Sequence, residues 1–330
     1  MTSTTPAPAD HDRPRQISAP PSPGDRVLRL GLSAAGLSVF LIMGLTAFFL
    51  LIRGAQALRV AGWSFFTEQR WLLSAERFGI AAVLPNGLLI AVIALVLAVP
   101  VALMTAIFIS EYAPVRLRAP LISLIDLMAA IPSIVYGLWG LYFLQPRIIG
   151  TSRWISNHLG EWVPFLKVRT GDIGTSYTSS TFIGGVVVGL MIIPIITSLS
   201  REVFSQAPQG EREGAYALGS TRWGMVRTVV LPFGKGGVIG AVMLGFGRAM
   251  GETIAIALII SPAFVFKGHL LENGGNSISA LIALRFSESD ELSLSALMAA
   301  GLVLFVLTLV VNLVAGIIIN RSRSGAATND

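Results

Sequence analysis

Residues 213–232 read Glu-Gly-Ala-Tyr-Ala-Leu-Gly-Ser-Thr-Arg-Trp-Gly-Met-Val-Arg-Thr-Val-Val-Leu-Pro, and they lie between two long apolar runs, 181–203 and 236–260. Ala207–Leu218 can form one short helix, and Gly219 can take the left-handed conformation that ends it. Ser220 or Thr221 then caps a second helix, Arg222–Val230, before Leu231-Pro232 leads into the next apolar run. The spacing predicts a compact helix–turn–helix between two apolar segments. Ala215, Ala217 and Gly219 keep its tip small enough to enter a cleft on a partner.

Working outward, six stretches reach the roughly 20 apolar residues that a helix needs to cross a bilayer: 28–52, 81–110, 119–145, 181–203, 236–260 and 292–319. The expectation is an all-α, polytopic membrane protein with about six transmembrane helices. Pro85, Pro100, Pro132 and Pro194 fall inside these runs and are read as kinks, not ends. Composition agrees with this class. Of 330 residues 53% are hydrophobic and 13% charged, with mean hydropathy +0.73, too little charge for the surface of a soluble domain. There is no cysteine, which excludes disulfides and thiol chemistry. His11, His158 and His269 match no metal spacing. No GxxxxGK[ST] occurs, so ATP binding by a P-loop is not expected of this chain. A zincin motif and a Ser–His–Asp set are likewise absent, which argues against an intramembrane protease.

Residues 1–27 are rich in Pro, Ser and Thr and read as a disordered cytoplasmic tail. A first span and outer loop follow over 28–80, then a core over 81–319 that contains the loop 204–235, then a second tail over 320–330. With both termini inside, cytoplasmic segments hold thirteen Lys/Arg and outer loops ten, a weak positive-inside bias. The net charge of +6 is assigned to those ends and not to nucleic-acid binding. The outer loops 53–80, 146–180 and 261–291 carry Trp63, Trp71, Trp154 and Trp162, expected on short helices at the membrane interface.

Two charges fall in mid-span in Gly245-Phe-Gly-Arg248-Ala-Met-Gly-Glu252-Thr253. Each costs about 2.5–3.5 kcal/mol at a helix centre, so both should face the bundle interior. On one continuous helix Glu252 lies about 40° from Arg248, and Gly237, Ala241, Gly245, Gly251 and Ala255 lie within about 60° of it. Such a face suits close helix packing, a structural Arg–Glu pair, or an anion approaching the planar guanidinium. Asp126, with Ala130, Ser133, Gly137 and Gly140 on its side of the third run, forms a second small, polar stripe. It is either a candidate pathway carboxylate or an ordering hydrogen-bond group. Asn86 and Asn312 are read as interhelical hydrogen-bond groups.

The pattern Glu213-Gly-Ala, three residues, Gly219, nine residues, Val229-x-Leu231-Pro232 resembles the EAA loop of membrane subunits of ATP-binding-cassette importers, with Gly214 and Val229 as small departures. Glu111-Tyr112-Ala113-Pro114, Ile131-Pro132-Ser133-Ile-Val-Tyr136-Gly137 and Arg248-Ala-Met-Gly251-Glu252-Thr253 resemble the phosphate-specific importer permeases, over roughly 81–319. Tail and loop lengths favour the PstC type over the PstA type. The resemblance implies a MetI-like permease in a bacterial plasma membrane that is not itself an enzyme. It further implies a sister permease (PstA type), an ATPase dimer (PstB type) that uses ATP and Mg, and an extracytoplasmic phosphate-binding protein (PstS type). No cofactor is expected on this chain. In this reading Glu213, Ala215, Gly219, Leu231 and Pro232 dock the ATPase, while Arg248, Glu252, Asp126, Ser133 and Thr253 line the path of inorganic phosphate. The nearest alternative is a permease for sulfate or molybdate.

Overall fold

The computed structural model describes residues 22–72, 77–168, 176–264, 266 and 268–323, the last four by backbone alone. Residues 1–21 of the expected tail, and 324–330, lie outside the described residues. The chain divides into two units, Met1–Phe49 and Leu50–Asp330.

Helix α1, Pro23–Ala61, is longer than the expected first span at both ends. In the first unit, beyond Asp25, Arg26 and Arg29, its side chains are mostly apolar on every side and none is buried, the pattern of a helix whose environment is lipid or another subunit. The second unit begins with the rest of α1. After α2 (Ser64–Thr67) comes a short antiparallel pair, β1 (Trp71–Leu72) and β2 (Arg77–Phe78). Helix α3, Val83–Ile107, ends in a π-helical turn, Phe108–Tyr112. Helix α4 is Val115–Ala130, α5 is Ser133–Trp139, and a π turn at Gly140–Leu144 leads into α6, Gln145–Leu159. Next come α7 (Thr181–Ser205), α8 (Gln209–Ala217) and α9 (Arg222–Met225). A third π turn, Val226–Val230, runs straight into α10, Leu231–Gly251. Helices α11 (Ile254–Ile259), α12 (Ile278–Arg285) and α13 (Glu291–Arg323) complete the unit.

Among the described residues five helices are long and apolar enough to cross a membrane, and a bent pair adds a sixth if its two arms count as one span. That pair corrects the sequence reading of 119–145 as one kinked helix. The chain breaks at Ile131-Pro132, and the two arms meet at 87°. Proline removes a backbone donor and forces its predecessor out of the helical region; Ile131 adopts φ −64°, ψ 126°. Pro100 and Pro194 do stay inside continuous helices, and Pro85 lies in the first turn of α3.

Small residues set the packing. A Cβ on Gly185 would lie 2.5 Å from Ile93, and one on Gly189 3.2 Å from the Ala94 carbonyl oxygen, while Thr197 Oγ1 donates to the Ala102 carbonyl at 3.4 Å. The register rises together along both chains, so α3 and α7 run parallel. Gly234 meets Phe204, Gly237 meets Val203 and Gly245 meets Ile196, so α10 runs antiparallel to α7. Gly54 lies against Ala299, and the Ser295 hydroxyl bridges the Arg53 carbonyl and the Ala57 N–H, so the end of α1 opposes α13. The central core gathers Ala91, Ala94, Ala98, Ile192, Ile196, Ala241 and their neighbours. A second cluster packs Phe65, Trp71, Phe78 and Ile80 on Leu281 and Ala296. Trp71 is thus a buried core residue, stacked near Phe264, and not an interfacial one; Trp63, Trp154 and Trp162 are exposed as expected.

Candidate functional site

The exposed loop between α7 and α10 forms as its spacing predicts. The N–H of Gly219 donates to the Tyr216 carbonyl at 2.9 Å and that of Ser220 to the Ala215 carbonyl at 3.0 Å, with φ +82° at Gly219. This reciprocal pair is the Schellman closure of α8, and it requires a residue that tolerates positive φ. Thr221, not Ser220, caps α9, accepting from the Gly224 N–H at 3.1 Å. Gly214 has open space where a Cβ would stand, so the EAA pattern's first alanine would fit there.

Beneath the loop a small core joins Phe204, Ala207, Met225, Val226 and Val230, with Ala215 and Leu231 packed against it. Glu213 stays exposed and accepts from the Gln209 side-chain amide at 3.1 Å, and Pro232 is exposed at the start of α10. Of the small residues named from sequence, Ala217 and Gly219 are exposed and Ala215 is half-buried. Tyr216, Leu218 and Trp223 stand exposed beside them, with Leu218 91% exposed. Sequence reasoning passed over them because a single apolar side chain in a loop carries no periodic signal. Their exposure in a segment with its own core is what marks them.

In the membrane segment the structure separates residues that a continuous helix would have grouped. Helix α10 ends at Gly251, and Glu252 is extended at φ −64°, ψ 126°. Among the described residues no ion pair joins Arg248 to Glu252. Glu252 is instead 7% exposed and turns to the next helix. Its Oε1 accepts from the Ala255 N–H at 3.1 Å, satisfying a first-turn donor of α11, and its carbonyl accepts from Ser279 Oγ at 2.7 Å. Thr253 stands in the break, half-buried, its hydroxyl donating to the Gly251 carbonyl at 3.0 Å. The small face also divides: Gly237, Ala241 and Gly245 pack on α7, whereas Gly247 and Gly251 border open space.

Arg248 points away from the packed core and is exposed. It lines a groove of about 520 Å³ with Ile195, Met243, Leu244, Gly247, Thr308 and Asn312. Asn312, read from sequence as an interhelical hydrogen-bond group, and Thr308 therefore share a groove with the guanidinium. Only the antiparallel docking of α13 on α10 brings them together. Tyr136, in the first turn of α5, is close enough to feel the Arg248 charge, and its hydroxyl donates to the Met128 carbonyl across the Pro132 break at 3.0 Å. Ser133 opens α5, half-buried. Helices α5 and α11, each starting at a break, lie against one another: a Cβ on Gly137 would sit 2.9 Å from the Ala255 Cα. Asp126 does not join this group. It is exposed on α4 at a separate recess beside Thr197, Ser198 and Arg201, because the break at Pro132 ends the helical register that had aligned it with Ser133 and Gly137.

Residues 98–324, which include both helix breaks and the exposed loop, match the family described as binding-protein-dependent transport system inner membrane component. The chain belongs to this family. Among similar proteins, the phosphate transport system permease protein PstC 2 of Mycobacterium tuberculosis is 40% identical over 310 residues, 93% of each chain. The phosphate transport system permease protein PstC of Xylella fastidiosa strain Temecula1 is 38% identical over 298 residues, 90% of this chain and 91% of that one. A solved bacterial ABC transporter involved in the import of the acidic polysaccharide alginate aligns with a TM-score of 0.53 at 16% identity, over 89% of this chain and 98% of that one, a likeness of fold. The permease is thus a multi-pass protein of the bacterial inner membrane, in a family whose transport systems work with a binding protein.

Proposed function

We propose that this permease forms half of the translocation path of an ATP-driven phosphate importer, with Arg248 as the residue that meets the permeating anion. The observation that carries the reading is an arginine in the last turn of α10, beside the break before α11, exposed and without an acidic partner among the described residues of its own chain. A charge left against lipid costs about 2.5–3.5 kcal/mol on insertion scales, so such a residue belongs at a water-filled path or a subunit boundary. The groove adds the Asn312 amide, able to donate to an oxyanion, while the Thr308 hydroxyl donates to the Phe305 carbonyl at 2.9 Å. The names of the 40%-identical relatives support phosphate over sulfate or molybdate.

In this reading the path is completed by a sister permease that covers the exposed face of α10. A separate ATPase dimer, using ATP and Mg, docks on Tyr216, Leu218 and Trp223 with Glu213 at the rim, and a binding protein delivers phosphate outside. The arginine fork binds two oxygens of the anion, and the surrounding apolar walls keep the site shallow enough for release.

The test is uptake of labelled phosphate, normalised to assembled complex, in Arg248→Gln, Arg248→Lys and the double variant Arg248→Gln with Glu252→Gln. Removing a charge-assisted contact of about 1.5–3 kcal/mol should cut uptake about tenfold to hundredfold in Arg248→Gln. Lysine should recover a part of it, since a point charge lacks the fork. Because Glu252 caps α11 and is not paired with Arg248, the double variant should stay inactive. Recovery in the double would assign Arg248 to packing.

A further inference from the structure

Glu111, at the π-helical end of α3, is 7% exposed, an expensive place for a carboxylate unless it is paired. Its partner comes from the exposed loop 101 residues away: Arg212 on α8 donates to Glu111 Oε2 at 3.0 Å. The same guanidinium donates from Nε to the Ala207 carbonyl at 3.1 Å and from a terminal nitrogen to the Phe204 carbonyl at 2.6 Å. The Phe204 carbonyl lies in the last turn of α7 and already accepts from the Ala207 N–H at 3.3 Å, and the Ala207 carbonyl lies just beyond the helix end. One side chain on α8 thereby holds the end of α7 and the end of α3 at a single point.

A second cation of the loop grips the next residue. Arg222, on the far side of the Gly219 turn, lies 5.3 Å over the Tyr112 ring. Helices α8 and α9 thus hold two consecutive residues, Glu111 and Tyr112, of a π turn. Such turns are wider and less stable than α-helix and recur at functional positions. Ala113-Pro114 follow immediately and start α4, whose far end is the break at Pro132 beside Tyr136 and the Arg248 groove.

We propose that Arg212 and Glu111 are a positioning pair of the transport cycle. Their ion pair fixes the ATPase-docking helices to the α3–α4 turn, so that displacement of those helices is transmitted along α4 to the Pro132 break. Without the pair the displacement is absorbed in the loop. The proposal rests on the docking reading given above. It assigns the coupling to residues beneath the docking face, which need not touch the ATPase.

The experiment uses the complete importer reconstituted in vesicles with wild-type chain, Glu111→Gln, Arg212→Gln or Arg212→Lys. Three quantities are read: ATPase retained on purification, ATP hydrolysed, and phosphate taken up per ATP. Glu111→Gln is nearly isosteric and keeps an acceptor for Arg212. It should retain the ATPase and hydrolyse ATP within about twofold of wild type, while uptake per ATP falls about tenfold, within the range for residues that modulate coupling. Arg212→Gln should be at least as uncoupled, and Arg212→Lys intermediate, since lysine keeps the charge and loses the fork. An unchanged ratio of phosphate to ATP in Glu111→Gln overturns the proposal. So does loss of the ATPase from Glu111→Gln, because the pair would then only fold the docking surface. Leu218→Asp is the control for the docking reading itself. Full ATPase retention in that variant refutes docking at this loop, whatever the pair does.

Discussion

Glu252 shows how one buried carboxylate can be given the wrong partner by sequence spacing alone. Four residues from Arg248, it reads as half of an ion pair; in the structure it closes α10 and caps α11 through the Ala255 N–H. Losing such a cap costs about 1 kcal/mol. Glu252→Gln keeps an acceptor and should leave the thermal stability of the purified permease nearly unchanged. Glu252→Leu removes the acceptor and should lower the aggregation midpoint by a few degrees, measured in detergent over a temperature ramp. Equal midpoints for the two variants would mean that the cap contributes nothing. Arg248 is the converse case, because its place in an apolar run was readable, and only the exposed groove with Thr308 and Asn312 shows which way it faces.

At the scale of elements, the exposed loop followed its local code. A left-handed glycine and a threonine cap are short-range features, and both formed where the spacing predicts them. The small apolar core beneath is not local, since Ala106 of α3 joins it. Gly219→Pro removes positive φ and restricts Leu218, so the Schellman closure cannot form. The variant should insert normally yet lose most of its bound ATPase, measured by copurification. Glu213→Arg reverses charge at the rim and should weaken the same complex. ATPase recovered at the wild-type level from both variants would remove the assignment. The broken spans did not follow the local code. Pro132 and Pro194 lie in equally apolar runs, yet only Pro132 ends a helix. The Pro194 helix is held on both sides by α3 and α10 through Gly185, Gly189 and Gly245. After Pro132 the chain instead turns to seat Gly137 and Gly140 on α11.

For the molecule as a whole, helix directions constrain the topology. Helices α3 and α7 run parallel, α10 opposes α7, and the end of α1 opposes α13. Six alternating spans satisfy all three relations when the bent pair counts as one. We therefore expect tags at residues 5 and 325 to be labelled only from the cytosol, and one at residue 275 only from outside, in intact and permeabilised cells. Ends labelled from opposite faces would mean that the bent pair does not cross.

The sequence alone determined the class, the number of apolar runs and the glycine turn of the exposed loop. Each depends on composition or on contacts between residues a few positions apart. Tertiary structure decided which proline breaks a span, that Asp126 lies apart from Arg248, and that Arg212 reaches Glu111. Those outcomes depend on which helix packs against which. Partners about 100 positions apart are chosen by shape and by the cost of leaving buried polar groups unpaired, and no local spacing encodes that choice.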